Sequence, residues 1–426
     1  MPGTRRRRSA RSRCSCSNRS RSRRTEPGEH GESRPDLTPA RSRTAAVLGC
    51  LSFFLIGWSG LLVASLIRSI EHDFGQTDAG MGFFYLVNAA VYGTGVLGGT
   101  LVTQRFGRRP VLAGGAGLVA LGLVVLATAE TWSIFLVAVI PFGIGCGTLD
   151  GAGNGLILDL FPDTRGRALN LLHFCFSAGA LASPAVVGRA VAAGVPWRSL
   201  LLATAIVAVP VAVLFVRAAM PTGRHVRGID GARPGRRLLL DRVLLVLGLA
   251  IACYVAAEVG VSNWLVRFLA AAPLDVATTS LSLYWAGLTV SRIAAARIGD
   301  RFDHTTFAAV ASIATGALIL LAIVAPSLEL SIVLFAAAGV ASGPIFPLIV
   351  AIGGDRFPHR SAAVGGYLAG AAVVGGISYP PVMGFLSVTI GLPAAMAGTG
   401  ALAILAAVVL AGARRPRSVG ADPVRP

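Results

Sequence analysis

Lysine is missing from this chain altogether: its 38 basic residues are all arginine, set against 20 acidic ones. That absence excludes a Walker phosphate loop, whose lysine reaches the nucleotide phosphates. The glycine run Gly143-Ile144-Gly145-Cys146-Gly147 also lacks the strand–loop–helix context of such loops and reads as close helix packing. Charge of either sign is scarce, at 14% of 426 residues, where soluble domains carry about a quarter. A water-soluble globule of this length is therefore disfavoured. The six cysteines, Cys14, Cys16, Cys50, Cys146, Cys175 and Cys253, include no C-x-x-C pair, so neither a metal site nor a disulfide framework is expected. No Ser-His-Asp, zinc or nucleotide constellation stands out. The chain is read as a non-enzyme without metal or cofactor, and not as an ATP-driven pump.

What is abundant is apolar: 54% of residues are hydrophobic, with 52 Gly and 23 Pro, both better tolerated in membrane helices than in soluble ones. Apolar segments long enough to cross a bilayer recur at 44–67, 79–103, 110–128, 132–158, 168–192 and 198–219. A second set follows at 242–270, 278–298, 305–325, 329–352, 362–387 and 391–412. Backbone groups in lipid have no water partner, so each segment is expected to be helical. The fold class is then an all-α integral membrane protein of twelve transmembrane helices in two six-helix bundles, 44–219 and 242–412. An Arg-rich connector, 220–241, joins them, and a short tail, 413–426, ends the chain. Residues 1–43 hold thirteen Arg and four acids with almost no large apolar side chain, the composition of a disordered tail.

The net charge of +18 does not point to nucleic acid, because its distribution is that of a topology signal. With both termini placed in the cytoplasm, 33 Arg fall in cytoplasmic segments. Arg68, Arg189, Arg198 and Arg267 lie at outer helix ends, and Arg292 lies inside the eighth segment. The outer loops carry Glu71, Asp73, Asp78, Glu130, Asp275 and Glu329. This is a positive-inside pattern, and it predicts a multi-pass protein of the cell's inner (plasma) membrane with both termini cytoplasmic.

The chain also repeats itself. Arg105-Phe106 answers to Arg301-Phe302, Phe161-Pro162 to Phe357-Pro358, Pro184 to Pro380 and Gly188 to Gly384, each at an offset of 196 residues. A tandem duplication in an apolar chain points to two similar membrane halves, the architecture of solute carriers.

Two loops carry a family resemblance. Between segments two and three the chain reads L-V-T-Q-R-F-G-R-R-P (Leu101 to Pro110), and between eight and nine A-R-I-G-D-R-F-D-H (Ala296 to His304). Together they resemble the paired cytoplasmic signature of the major facilitator superfamily. The first copy has Gln104 where an Asp is usual; the second keeps Asp300 and Arg301 but has Asp303 in place of Gly. The resemblance implies a latch that gates the cytoplasmic side, assigned here to Arg105, Gly107, Arg108, Arg109, Arg292, Asp300 and Arg301. A narrower likeness runs through Gly145 to Asn154, Leu172 to Pro184, Ala256 to Leu265, Tyr284 to Arg292 and Gly343 to Pro347. These stretches are similar to the fucose/galactose/glucose–proton symporter branch and its sugar-transporter-like relatives. That likeness implies proton coupling at Asp150 and a substrate-site role for Asn154. The acid that the fucose symporter has on its first helix is absent from Leu62-Val63-Ala64-Ser65.

Asp150 and Glu258 are the carboxylates well inside predicted spans. An ionised carboxylate near the bilayer centre costs about 2.5–3.5 kcal/mol, so both are expected to face a central cavity. Burial disfavours the charged form, which suits either one to bind and release a proton, or to serve as a hydrogen-bonding group between helices. Asp150 and Asn154 share a helical face, as do Asn170, His173 and Ser177, with His173 a proton-transfer or inner-gating candidate. Asn88 with Tyr85 and Tyr92 marks one face of the second helix, and Tyr254 with Glu258 one face of the seventh. Trp264, Tyr284 and Trp285 can stack on a sugar ring or anchor at the bilayer interface. The substrate-binding candidates are Asn154, Asn88, Tyr85, Tyr254, Trp264 and Tyr284. Arg292 is either a snorkelling or latch-bound residue or an anchor for an anionic solute.

The leading reading is a secondary transporter moving a small polar solute, a sugar by resemblance, by alternating access with proton symport, its partners being the bilayer, the solute and protons. The five Met favour a polar solute over the runner-up, a proton-coupled drug or metabolite exporter of the same fold. A third reading is a receptor or scaffold that has lost transport.

Overall fold

The computed structural model describes residues 39–162, 164–220, 240–298 and 301–412; most of tail 1–43, most of the connector, the tail beyond 412 and Asp300 lie outside the described residues. The first half contains α1 (Pro39–Phe74), α2 (Asp78–Phe106), α3 (Arg108–Thr128), α4 (Trp132–Leu160), α5 (Arg165–Ala192) and α6 (Trp197–Arg217). The second contains α7 (Arg242–Phe268), α8 (Leu274–Ile298), α9 (His304–Ile323), α10 (Leu328–Ser342), α11 (Ile345–Arg356), α12 (Ser361–Ile390) and α13 (Leu392–Ala411). No strand occurs among the described residues. The tenth predicted span is thus two helices, broken at Gly343-Pro344, where proline has no N–H to continue the ladder.

Eleven helical spans, α10 and α11 counting as one, are long and apolar enough to cross a membrane. The exception is α8, which carries Thr278, Thr279, Ser280, Ser282, Thr289, Ser291 and Arg292. Its seat between α5, α7 and α10 covers much of that polar surface. With twelve spans both described chain ends lie on one face of the bundle, the terminal face, opposite the far face.

The duplication is visible in the packing. In the first half α1 packs on α4, α5 and α6, α2 on α4, and α3 on α4 and α6. In the second, α7 packs on α11, α12 and α13, α8 on α10, and α9 on α10, α11 and α13. Moving each partner on by six spans converts the first pattern into the second. The seams between halves obey the same symmetry: α1 meets α7, while α5 on α8 is the counterpart of α12 on α2.

Those seams close at the far face. One apolar core runs through the first half and takes in Trp264, Leu281, Phe335 and Met383 from the far end of the second. The terminal end of the second half has a separate core around Leu247, Ile251, Ile349 and Leu368. Side-chain bonds between the halves follow suit: Arg68 to the Ala272 carbonyl at 2.9 Å, Tyr85 to the Asn263 carbonyl at 3.1 Å, Ser282 to the Leu181 carbonyl at 2.9 Å, and Arg267 to Asp78 at 2.8 Å. Among the described residues these bonds join the halves at the far face, and none of them lies at the terminal face.

Candidate functional site

Small residues bring α4 against α2. A Cβ at Gly147 would fall 2.1 Å from the Tyr92 carbonyl oxygen, so only glycine permits this approach. One turn later the side chains meet: the Tyr92 hydroxyl donates to Asp150 Oδ2 at 2.7 Å, and the Asn154 amide donates to Asp150 Oδ1 at 2.7 Å. Each carboxylate oxygen has one donor, and Asp150 and Asn154 are both partly accessible. Asn154 therefore spends its amide on Asp150 and leaves its carbonyl oxygen for another partner.

A second cluster stands in the other half. Glu258 Oε2 accepts from the Tyr254 hydroxyl on the same face of α7, and Arg292 Nη2 on α8 pairs with it at 3.3 Å. Arg292 also donates from Nε to the Gly343 carbonyl at 3.3 Å, at the break between α10 and α11. Here the helix ends and the carbonyl is free to accept. Glu258 stands at the 196-residue repeat of Leu62, so the acid lacking from the first helix has a counterpart on the seventh.

His173 links the clusters electrostatically: it interacts with both Asp150 and Arg292. Its imidazole packs edge-on against Phe53, centroids 5.5 Å apart, and is solvent-accessible. Ser177, one turn on, is buried and bonds back to the His173 carbonyl. Asn170 is exposed. The Asn88 Oδ1 atom is buried with no hydrogen-bond partner, and Trp285 Nε1 is in the same condition. Buried polar atoms left unpaired are costly, so both are candidates to meet a bound solute.

Other sequence candidates sit elsewhere. Tyr85 braces the far-face seam through Asn263. Trp264 is fully buried, its indole donating to the Pro380 carbonyl at 2.9 Å and its ring edge-on to Tyr85. Tyr284 is fully buried but belongs with the second cluster: its backbone carbonyl is close to Gly339 of α10, and its side chain interacts with Glu258 and Arg292. Tyr85 and Trp264 pack in the far half of the molecule, at the seam between the halves.

At the terminal face Gly107 turns the chain from α2 into α3 at φ 84°, a conformation that strains any other residue. Arg105 and Arg109 are exposed, Arg105 lying over Phe106, and Arg301 is exposed too. Arg108 is buried and donates from Nε to Asp159 Oδ2 at 2.9 Å and from Nη1 to the Ala152 carbonyl. Asp159 was not anticipated from the sequence. Its repeat mate is Asp355, which pairs with His304, the mate of Arg108, at 3.4 Å. The constant offset applied to acids as well as to Phe-Pro pairs would have found them, since each lies two residues before its Phe-Pro.

The comparisons agree with this architecture. Residues 47–281 and 271–426 match the family profile of the Major Facilitator Superfamily. The chain is 22% identical over 386 residues to bypass of stop codon protein 6 of Saccharomyces cerevisiae, covering 81% of this chain and 78% of that one. Shorter matches link it to the Homo sapiens sodium-dependent glucose transporter 1, at 28% over 32% of this chain and 26% of that protein. Another is multidrug resistance protein MdtL of Escherichia fergusonii, at 29% over 41% and 45%. Among solved structures, a bacterial homolog of the human lysosomal transporter Spinster, inward-facing and unoccupied, superposes with TM-score 0.73 at 14% identity, covering 90% of this chain and all of that one. A D-xylose–proton symporter gives 0.70 at 17% over 86% and 97%, and the E. coli fucose–proton symporter 0.60 at 19% over 87% and 98%. At such identities the superpositions establish the fold alone. A multi-pass membrane transporter of two repeated six-span halves, the chain belongs to the major facilitator superfamily.

Proposed function

We propose that this transporter moves a small polar solute, of the sugar class, by proton symport. The observation that carries the reading is the Asp150 cluster: a carboxylate held by Tyr92 and Asn154 on the side where the halves part. A carboxylate with one donor per oxygen can exchange a proton without losing its place. Asn154 Oδ1, Asn88 Oδ1 and Trp285 Nε1 offer hydrogen bonds of the kind a hydroxylated solute needs, and Glu258–Arg292 supplies a second polar wall. The names of the xylose and fucose symporters in the structural comparison support the same class. The arginine asymmetry assigns the terminal face to the cytoplasm, so the conformation described here is inward-facing. A proton moving inward then contributes about 2.3 kcal/mol per 100 mV of membrane potential.

A panel of solutes screened by thermal shift, followed by proteoliposome uptake under an imposed pH gradient, tests the reading. Asp150→Asn is expected to abolish accumulation against a gradient while sparing solute exchange; undiminished accumulation removes the coupling role. The relative MdtL favours a second reading, an exporter exchanging solute for protons. Efflux of apolar cations with no response to sugars would select it.

A further inference from the structure

The far-face lock contains two carboxylates and one guanidinium that touches both. Glu71 near the end of α1 and Arg267 near the end of α7 are repeat mates, 196 residues apart, and face each other across the axis relating the halves, Oε2 to Nε at 2.8 Å. Asp78, the first residue of α2, has Oδ1 2.8 Å from the same Nε. An arginine Nε carries a single hydrogen, and the hydrogen-bond geometry gives it to Asp78. Asp78 Oδ2 accepts from the Ser387 hydroxyl of α12. Asp78 thus has both oxygens served and sits at a helix N-terminus, where the peptide dipoles favour negative charge.

Glu71 has none of this. Its Oε1 is buried with no hydrogen-bond partner, its Oε2 touches Arg267 without receiving the Nε hydrogen, and it lies in the last turn of α1, where the dipole opposes an anion. The groups around it are few. α7 offers Arg267 and α2 offers Asp78 and Tyr85; its own helix offers Arg68, bonded to the Ala272 carbonyl, and exposed His72. From α6, Arg198 is taken up by Asp73 and by the Ala127 and Ala129 carbonyls, and Arg189 of α5 bonds Ala185 of its own helix. α12 contributes Ser387, spent on Asp78. A small crevice lined by Arg68, Glu71, His72, Gln76 and Arg267 opens from the lock to the far side, which gives a proton a route in.

We propose that Glu71 is a proton-binding residue of the transport cycle, protonated while the far face is closed and ionised when opening lets water reach it. A neutral acid leaves Arg267 wholly to Asp78 and removes an unpaired anion from a closed interface. Opening hydrates the carboxyl group and releases its proton to the far compartment. Closure of the far face therefore takes up one proton, and rising pH on that side works against closure. The device requires only that the halves rock apart; it holds whatever the solute and whether or not Asp150 carries a proton.

Spin labels on Thr77→Cys and Ala271→Cys, in protein whose native cysteines are replaced, report the far-face gap in proteoliposomes. Raising the pH from about 6 to about 9 is expected to lengthen the label distance, the closed-to-open ratio falling by up to about tenfold per pH unit for one proton. Glu71→Gln, which mimics the protonated acid, is expected to stay closed throughout. Asp150→Asn is expected to keep the far-face response, which separates this lock from the central site. A parent protein whose distance ignores pH overturns the proposal without recourse to any variant. So does a Glu71→Gln protein that still opens with pH, or an Asp78→Asn protein that alone loses the response.

Discussion

The Arg108–Asp159 pair and its repeat mate His304–Asp355 occupy equivalent places in the two halves, yet the geometry assigns them unequal weight. Arg108 is 4% exposed and Asp159 28%; Asp355 is 73% exposed. Replacing Asp159 by Asn leaves a buried guanidinium whose charge is uncompensated, its remaining described bond being that to the Ala152 carbonyl. Breaking a fully buried pair costs about 3–5 kcal/mol; partial exposure of Asp159 screens the interaction and brings the expectation to about 2–3 kcal/mol. Asp355→Asn removes a largely solvated contact and should cost under about 1 kcal/mol. Reversible unfolding of the purified protein in detergent, with the four proteins of an Arg108→Met/Asp159→Asn cycle, measures the coupling directly. The double variant should recover much of the loss, because it no longer buries a lone charge. Equal stability of Asp159→Asn and the parent, or a larger loss for Asp355→Asn than for Asp159→Asn, refutes the assignment.

Four further substitutions have expected outcomes. Gly107→Ala places a side chain at φ 84° and ψ 168° and should destabilise the first half by about 1–3 kcal/mol, read from the same unfolding curves. Gly384→Ala sets a Cβ 2.4 Å from the Asp78 carbonyl oxygen and 2.6 Å from Gly82 Cα, so the α12–α2 seam cannot close as it does here; far-face label distances should lengthen while each half keeps its stability. Its repeat mate Gly188 would meet the Thr278 side chain instead, which can rotate away, so Gly188→Ala should open the far face less. Tyr92→Phe deletes one of the two donors to Asp150; a hydrogen bond to a charged group contributes about 1.5–3 kcal/mol, and proton-driven uptake should fall at least about tenfold in vesicle assays, with expression unchanged.

Much of this molecule was legible in its sequence because lipid imposes few solutions. The apolar segments returned as helices within a few residues of their expected ends, and the 196-residue offset returned as a repeated packing pattern. Helix ends moved outward where polar residues continue the ladder beyond the apolar core, as in α1, which starts at Pro39 and stops at Phe74. The tenth span split because Gly343-Pro344 removes a donor at mid-length. For the site, helical spacing placed Asp150 with Asn154 and Tyr254 with Glu258 on shared faces. The cross-helix partners were harder to read: no periodicity along α2 announces that Tyr92 reaches Asp150, and nothing along α1 that Glu71 faces Arg267. Such contacts depend on glycine-sized gaps between helices and on the axis relating the halves. Tyr85 and Trp264 share the polar-aromatic character of a sugar platform, but that chemistry serves a sealed seam equally well.

The most direct test of the account is a pair of distances measured in one sample. Labels on Arg167→Cys and Ala296→Cys span the terminal ends of α5 and α8, and Thr77→Cys with Ala271→Cys spans the far face. Two halves rocking about a central site predict that a transported solute, added with protons, changes the two distances in opposite senses. Distances that lengthen together, or a terminal gap that never changes under any solute or pH, contradict it.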